Sequence, residues 1–503
     1  MKILNQENNE ELLDEREVRV KKVEGMKKEK IEPYPHASIK KISTKDALAA
    51  PHDTEVIIAG RVISMRAMGK IIFFEIQDQE GKIQCVYRLS EDNTDSFESF
   101  TVYLNLGDIL KIHGTRFITK KGEESIMAQD WLLLSKSIRP LPDKHKGLKD
   151  PNIRYRKRYL DLISDRKVFN HFKVRSRIIQ LVRKFLDDKG FMEVETPVLQ
   201  VLYGGTNAKP FKTHINAYDM DMFLRIAPEL YLKRLMIGGY EKVFEIGKNF
   251  RNEGVDSSHN PEFTMIEWYE AYSDYNDIMD RAEEMYKYIA QNLFGEKTIH
   301  MNGKKINIDY KWERVTMEQI VQTRIGLDVL KADITTLQKF CLSNKVAFKE
   351  DFSKGQFLNQ IFEELVAKKI IGPLWVIDYP REVSPLARSH RSKEGFVERF
   401  ECYFNGRELG DGWTEITSPF MQRDRFENEQ RSMRDGDEES HPLDEDFLEA
   451  LEYGMPPLGG IGIGIDRLIM FFTESASIRE VLFFPFMRPD ELNDFQEKPF
   501  KNN

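Results

Sequence analysis

Glu401 and Glu408 flank Asn405-Gly406, the dipeptide that most strongly signals a two-residue hairpin turn. Folded about that turn, Tyr403 faces Glu408 and Phe404 faces Arg407. Strand side chains alternate faces, so Glu401 and Glu408 become same-face diagonal neighbours, roughly 7–8 Å apart at Cα. Two carboxylates so placed repel unless a cation lies between them. A hard divalent ion such as Mg²⁺ is typically held by one or two carboxylates together with substrate phosphates; a solvent-facing acidic pair is the plainer reading of the same spacing. Downstream, strict alternation sends Asp411, Trp413 and Glu415 to the face opposite Glu408. Gly410 and Gly412 within the strand point to a bulge, which can rotate those side chains back into one pocket.

Residues 242–269 supply a second set. Residues 243–251 predict a strand, 252–261 a polar loop and 263–269 another strand. Arg251 and Glu253 share a face if the first strand runs that far, as do Phe263, Met265, Glu267 and Tyr269 on the second. A core face does not bury Arg or Glu without partners, and a solvated face does not explain Phe263 and Tyr269 beside them. Further on, Gly459-Gly460-Ile461-Gly462-Ile463-Gly464-Ile465 alternates glycine with isoleucine before an apolar helix. Its spacing is not the dinucleotide fingerprint. A glycine face lets a flat ligand lie against bare backbone, and Arg467 beyond it can cover a purine ring or a phosphate, although such strands more often serve packing alone.

The elements that must position these residues follow from texture. Residues 1–54 read as a charged helix over 10–31, stopped by Pro33-Tyr34-Pro35, and a lead-in. Residues 55–138 hold short β-type runs at 56–63, 70–77, 82–88 and 108–118, punctuated by glycine, as in a small barrel. A five-stranded OB-fold is the natural size match. Residues 139–168 form a basic linker opening on Pro140-Leu141-Pro142-Asp143-Lys144. Residues 169–490 alternate amphipathic segments with strands, the pattern of an α+β domain, with a helical insertion at about 315–370. Residues 491–503 are a tail, and the acidic stretch 431–446 reads as an exposed loop.

The chain has 503 residues, a prior of roughly three domains. With 41% hydrophobic and 31% charged residues, its composition is that of a globular chain. No apolar run approaches the roughly 20 residues of a membrane helix, and residues 1–15 lack a secretory apolar core. Cys85, Cys341 and Cys402 are far apart, without the CxxC spacing of a zinc or redox pair. The cytoplasm is the expected compartment. A net charge of −8 gives no global sign of nucleic-acid binding, yet residues 139–177 hold 13 Lys/Arg against 4 Asp/Glu. Within that stretch, Arg154-Tyr155-Arg156-Lys157-Arg158-Tyr159 suits phosphate contact and base stacking, or equally a solvated linker helix.

Taken in order, these stretches resemble the signature motifs of class II aminoacyl-tRNA synthetases. Gly190-Phe191-Met192-Glu193-Val194-Glu195-Thr196-Pro197 is similar to motif 1, Phe250-Arg251-Asn252-Glu253 with His259-Asn260-Pro261-Glu262-Phe263 to motif 2, and Gly462-Ile463-Gly464-Ile465-Asp466-Arg467 to motif 3. A barrel ahead of them marks the subgroup that charges lysine, aspartate and asparagine, and residues 224–234, 260–265 and 382–387 are similar to the lysyl enzymes. The resemblance runs from about residue 55 to 489. It implies ATP-dependent activation of lysine to an adenylate, release of pyrophosphate and transfer to the 3′ end of tRNA(Lys). It further implies Mg²⁺, no zinc, and a homodimer joined through motif 1.

The resemblance also implies roles. Arg251 would bind the α-phosphate and the amino-acid carboxylate, with Arg467 as its catalytic companion. Phe263 and Arg467 would sandwich adenine, Glu253 would read its amino edge, His259 would approach the pyrophosphate side, and Glu401 and Glu408 would hold Mg²⁺. Gly205 and Glu229 would receive the α-ammonium, Glu267, Tyr269 and Glu415 the ε-ammonium, and Trp413 the methylenes. Arg66, Phe73, Gln84 and Glu123 match anticodon readers, in keeping with stacking and edge recognition of single-stranded RNA. Charge offers an independent check. Glu229, Glu267 and Glu415 suit a substrate with two ammonium groups, and no free cation besides Arg251 is evident, whereas an aspartate pocket needs more basic groups.

Asp411 breaks the pattern. The family usually has Asn there, its amide meeting the substrate carboxylate, which an ionised aspartate would repel. A protonated, averted or cation-paired Asp411 resolves the conflict; a lysine analogue as substrate is the alternative. The segments Ile416-Thr417-Ser418-Pro419 and Gly204-Gly205-Thr206-Asn207-Ala208-Lys209 depart from the family wording too. Paralogues that lysylate a translation factor lack the barrel. A non-catalytic RNA-binding or regulatory homologue would have no need of Arg251, Glu253, Glu401, Glu408 and Arg467 together.

Overall fold

The structure is a computed structural model that describes residues 3–142, 148–301, 303–434 and 442–488. The expected tail at 491–503, residues 143–147 of the linker and residues 435–441 of the acidic stretch lie outside them. The described ends of that acidic stretch are helical, closing the helix Pro419–Arg434 and opening Glu445–Glu452. The chain divides into two compact units, Met1–Lys149 and Asp150–Asn503.

In the first unit, helix α1 (Ile3–Lys28) starts earlier and ends sooner than the charge pattern indicates. Its buried Arg19 donates to the carbonyl oxygens of Leu106, Ser137 and Arg139 at 2.9, 3.2 and 3.2 Å. Strands β1 (Glu55–Met68), β2 (Ile71–Gln77), β3 (Lys82–Arg88), β4 (Ile109–Ile118) and β5 (Glu124–Ser135) close into a barrel in the order β1-β2-β3-β5-β4. Alternation drives it. Ile72, Phe74 and Ile76 point into the core with Ile58, Leu110 and Ile126, while Ile71, Phe73 and Glu75 take the other face. The fifth strand, at 124–135, lies beyond the runs singled out from composition and pairs with both β3 and β4.

The second unit is built on an eight-stranded sheet. Its strands are β6 (Met192–Glu193), β7 (Lys242–Phe250), β8 (Glu262–Ala271), β9 (Glu313–Thr316), β10 (Leu374–Pro380), β11 (Phe396–Phe404), β12 (Arg407–Thr414) and β13 (Leu458–Gly464), in the spatial order β9-β10-β11-β12-β13-β8-β7-β6. The six central strands pair antiparallel, and the outermost strand on each side pairs parallel. One face packs on helices α2 (Arg166–Asp188), α4 (Tyr275–Phe294) and α5 (Ile465–Thr473). Ile461, Ile463 and Ile465 belong to that core, so the intervening glycines face the other way. Helix α3 (Glu229–Ile237) lies against β8.

Three helices, Met317–Ile325, Ile334–Asn344 and Lys354–Ile361, fill the expected insertion between β9 and β10. The basic run at 154–159 forms part of two short helices, Pro151–Arg156 and Arg158–Ser164. There Arg158 is buried, bonding Asp161 at 2.6 Å and the Arg479 carbonyl oxygen at 2.8 Å. That part of the positive charge serves the fold rather than an RNA surface.

Candidate active site

The sheet face opposite the helical core carries a pocket between β8, β12, β13, α3 and the loop that follows β7. It gathers Gly205, Glu229, Arg251, Glu253, His259, Phe263, Glu267, Tyr269, Glu408, Asp411, Trp413, Glu415 and Arg467 in its wall. Of the residues expected in this unit, Glu401 alone stays out of the lining, one step behind Asp411.

Hairpin β11–β12 explains the grouping. Asn405 and Gly406 both take positive φ, 49° and 70°, and Phe404 pairs with Arg407 and Tyr403 with Glu408, as the turn requires. The register then shifts, and Cys402 pairs with Gly410 and Glu401 with Asp411. Leu409 is thus the extra residue of a β-bulge and turns into the core. One extra residue reverses alternation, so Glu408, Asp411, Trp413 and Glu415 line the same pocket.

Strand pairing builds the floor. Tyr269 pairs with Gly460, Glu267 with Gly462 and Met265 with Gly464. A Cβ at Gly460 would lie 2.4 Å from the Tyr269 ring and 2.9 Å from Glu415 Oε1, so bare backbone there makes room for the protein's own side chains. Gly464 is open, with no atom nearer than 3.8 Å to a Cβ, and its side of the floor can face a flat ligand.

At this end β7 stops at Phe250, so Arg251 and Glu253 do not share a strand face; they sit in the loop that follows. The loop is held by Arg251 N–H to Pro261 O at 2.9 Å and Asn252 N–H to Lys209 O at 2.8 Å. The Arg251 guanidinium lies 5.1 Å from the Phe263 ring centroid. Burial lowers its basicity, with Glu253 and Glu408 acting against that. Its Nε has no hydrogen-bond partner among the described residues. Glu253 is exposed and accepts weakly from Lys209 N–H at 3.3 Å. His259 Nδ1 contacts Asp256 at 2.9 Å, and its Nε2 lies 3.3 Å from Arg467 Nη2. Arg467 Nη1 also donates to Glu408 at 2.9 Å. Asp466 clamps this corner, accepting from Arg175 at 2.7 Å and Thr264 N–H at 2.9 Å.

The other end is acidic and deeply buried. Tyr269 O–H donates to Glu267 at 3.1 Å, and Trp413 Nε1–H to Glu415 at 2.8 Å. Burial, helped by the Glu229 charge, pushes Glu267 up to about 8. Burial likewise pushes Glu415 up to about 8 against the pull of Lys233. Glu415 Oε1 has no hydrogen-bond partner among the described residues. Gly205 takes φ +93°, and a Cβ on it would meet Glu229 Cβ at 2.8 Å, so its backbone lies close against that helix.

Two cations that the sequence reading overlooked sit here. Lys233 Nζ is bonded to Glu229 and, at 2.5 Å, to Glu415. Arg399 holds Asp411 with two hydrogen bonds of 2.9 Å and Glu401 with one of 2.6 Å. Both had a signal: Lys233 follows Glu229 by one helical turn, and Arg399 precedes Glu401 by two on the same strand face. Of the three ways to reconcile Asp411 with a carboxylate substrate, cation pairing is the one present. Burial still raises Asp411 to about 6.

Glu401 also accepts from Tyr403 O–H at 2.5 Å. Burial raises it to about 7 against the pull of Arg399, with the charges of Asp411 and Glu408 adding to the rise. Two neighbouring carboxylates are the donor type that holds a hard divalent cation jointly with phosphates, but here both Glu401 oxygens are engaged by Arg399 and Tyr403, and Glu408 by Arg467. Among the described residues no three Asp, Glu, His or Cys side chains form a metal cage by themselves.

In the barrel, Arg66 pairs across strands with Phe73, its guanidinium 6.0 Å from the ring. Gln84 donates to Ser125 at 2.8 Å, and Glu123 is exposed just ahead of β5. The four therefore share the outer side of β1, β2, β3 and the β5 approach.

A barrel followed by an antiparallel sheet with an arginine-lined pocket is the construction of a class II tRNA synthetase. The family model for tRNA synthetases class II (D, K and N) matches residues 150–488, and that for the OB-fold nucleic acid binding domain matches residues 56–134. A lysine–tRNA ligase 2 of Methanosarcina acetivorans is 45% identical over 93% of each chain. Lysine–tRNA ligases of Pelotomaculum thermopropionicum and Clostridium tetani are 45% and 47% identical, covering 96% of both chains and 87% of this chain with 88% of the relative, respectively. The chain belongs to the lysine–tRNA ligase family.

Proposed function

We propose that the protein activates L-lysine with ATP and transfers it to tRNA(Lys). The observation that carries this reading is the division of one pocket into an arginine-lined end and a buried acidic end. Adenine fits between Phe263 and Arg467, with Glu253 at its amino edge and His259 toward the pyrophosphate. Arg251 holds the α-phosphate and the lysine carboxylate together. One carboxylate oxygen attacks the α-phosphorus, the bond to the bridging oxygen breaks, and pyrophosphate leaves. The attacking group is already an anion, so no general base is needed, and alignment supplies much of the rate. Arg251 neutralises the charge that grows on the phosphoryl oxygens. Mg²⁺ bound with ATP supplies further charge neutralisation, and Glu401 and Glu408 are the residues to hold it. A ribose hydroxyl of the tRNA terminus then attacks the adenylate carbonyl and AMP leaves.

Glu267, Tyr269 and Glu415 take the ε-ammonium, Glu229 and the Gly205 backbone the α-ammonium, and Trp413 the methylenes. Arg66, Phe73, Gln84 and Glu123 form the anticodon-reading surface. Motif 1 and the residues that follow it support a homodimer: Met192, Val198, Leu199, Val201 and Leu202 are all exposed in this chain, apolar surface of the kind that marks protein contacts. No helix among the described residues is long and apolar enough to cross a membrane.

The test is lysylation. With ATP and Mg²⁺ the protein is expected to convert radiolabelled lysine into acid-precipitable lysyl-tRNA on a tRNA(Lys) transcript, and to lose that activity when the anticodon is replaced. Lysine transfer to no tRNA, from folded protein, contradicts the proposal.

A further inference from the structure

An ammonium group lies buried behind the acidic end of the pocket. Lys233 is 1% exposed, and its Nζ lies between Glu229 and Glu415, bonded to both. Its other neighbours are ring faces, Tyr269 at 5.9 Å and Trp413 at 6.0 Å from the centroids. The charged or titratable groups that face this cluster are Glu229 from α3, Glu267 and Tyr269 from β8, Glu415 from the end of β12, and Arg251 and Asp411 further out, while β13 contributes glycine backbone.

Three carboxylates facing a ligand with two ammonium groups are one negative charge too many. An unmatched charge in a buried site is costly. Lys233 removes the excess: with Glu229, Glu267 and Glu415 ionised, the cluster carries two negative charges, the complement of the substrate's two ammoniums. It also fixes which oxygens remain. Lys233 and Trp413 both engage Glu415 Oε2, leaving the buried Oε1 without a partner. Resting on the lysine reading above, we infer that Lys233 is a positioning residue that sets the charge of the amino-acid pocket to match a dication and turns one oxygen of Glu415 toward it.

Burial opposes the Lys233 charge, but Glu229 and Glu415 outweigh it and raise its basicity, so it remains an ammonium throughout the working pH range. It in turn draws Glu415 and Glu267 toward ionisation. Replacing it with a neutral side chain therefore raises the pH at which the carboxylates become available for lysine.

The experiment follows kcat/KM for lysine in ATP–pyrophosphate exchange from pH 6 to 9, for wild type, Lys233→Met, Lys233→Gln and Lys233→Arg. Folding is checked by thermal melting. The neutral variants are expected to move the rising limb of the profile up by about one pH unit. Each is expected to lose at least roughly tenfold in kcat/KM near neutrality, mostly through KM. Lys233→Arg is expected to keep the limb where wild type has it. A limb that stays in place in folded neutral variants, an equal loss in all three variants, or failure of both neutral variants to fold overturns the inference, because each makes Lys233 a packing residue. Absence of exchange in wild type instead contradicts the lysine reading itself.

Discussion

Glu415 meets two demands through its two oxygens, one satisfied within the protein and one buried without a partner. Glu415→Gln keeps the shape but removes the charge that faces the ligand. Hydrogen bonds to charged groups contribute about 1.5–3 kcal/mol, so KM for lysine is expected to rise by about 10- to 150-fold in exchange kinetics, with a smaller change in kcat. Asp411 calls for the opposite change. Asp411→Asn removes a carboxylate facing the substrate carboxylate and leaves Glu401 as the one carboxylate bonded to Arg399, which also donates to Val383 O and Ser384 Oγ. KM for lysine is expected to fall about threefold to tenfold, the scale of a partly compensated charge pair near 1 kcal/mol. An unchanged or higher KM would show that the Arg399 pair had already cancelled the aspartate.

At the scale of elements, the β-bulge and the glycine floor decide what shares a pocket. Gly460→Ala forces a Cβ into the Tyr269 ring and toward Glu415 Oε1, whereas Gly464→Ala adds a methyl at ordinary contact distance. Overpacking of this kind costs about 1–3 kcal/mol. Gly460→Ala is therefore expected to lower the melting temperature and lysine-dependent exchange together, while Gly464→Ala melts like wild type. The Asn405-Gly406 turn was legible because only residues tolerant of positive φ close that loop. The bulge was only hinted at by Gly410 and Gly412, since where a strand takes an extra residue depends on how Leu409 packs into a core drawn from distant parts of the chain. Arg251 and Glu253 misled for a related reason: nothing in residues 250–253 says that the strand ends at Phe250. Lys233 was visible as a residue one turn from Glu229, yet its second partner, Glu415, arrives from a distant strand. A local pattern could suggest the first contact and not the second.

For the whole molecule, the raised carboxylates couple stability to pH and ligand. Glu267 and Glu415, at about 8 in the fold against an ordinary 4.5, bind protons more tightly folded than unfolded. Their contribution is fully present below about 4.5 and is lost as pH rises toward 8. The melting temperature of the free protein is therefore expected to decline between pH 5 and 8 on their account, and saturating lysine to restore more of it at pH 8 than at pH 6. Association belongs to this scale as well. Leu199→Asp and Val201→Asp on the exposed apolar surface are expected to shift a dimer toward monomer in sedimentation equilibrium. The central claim, that the acidic end of this pocket selects lysine for adenylation, is tested most directly by ATP–pyrophosphate exchange with each proteinogenic amino acid offered separately. Exchange with lysine well above every other amino acid is the predicted result. Exchange with none, or with an amino acid whose side chain carries no cation, from folded protein, would contradict it.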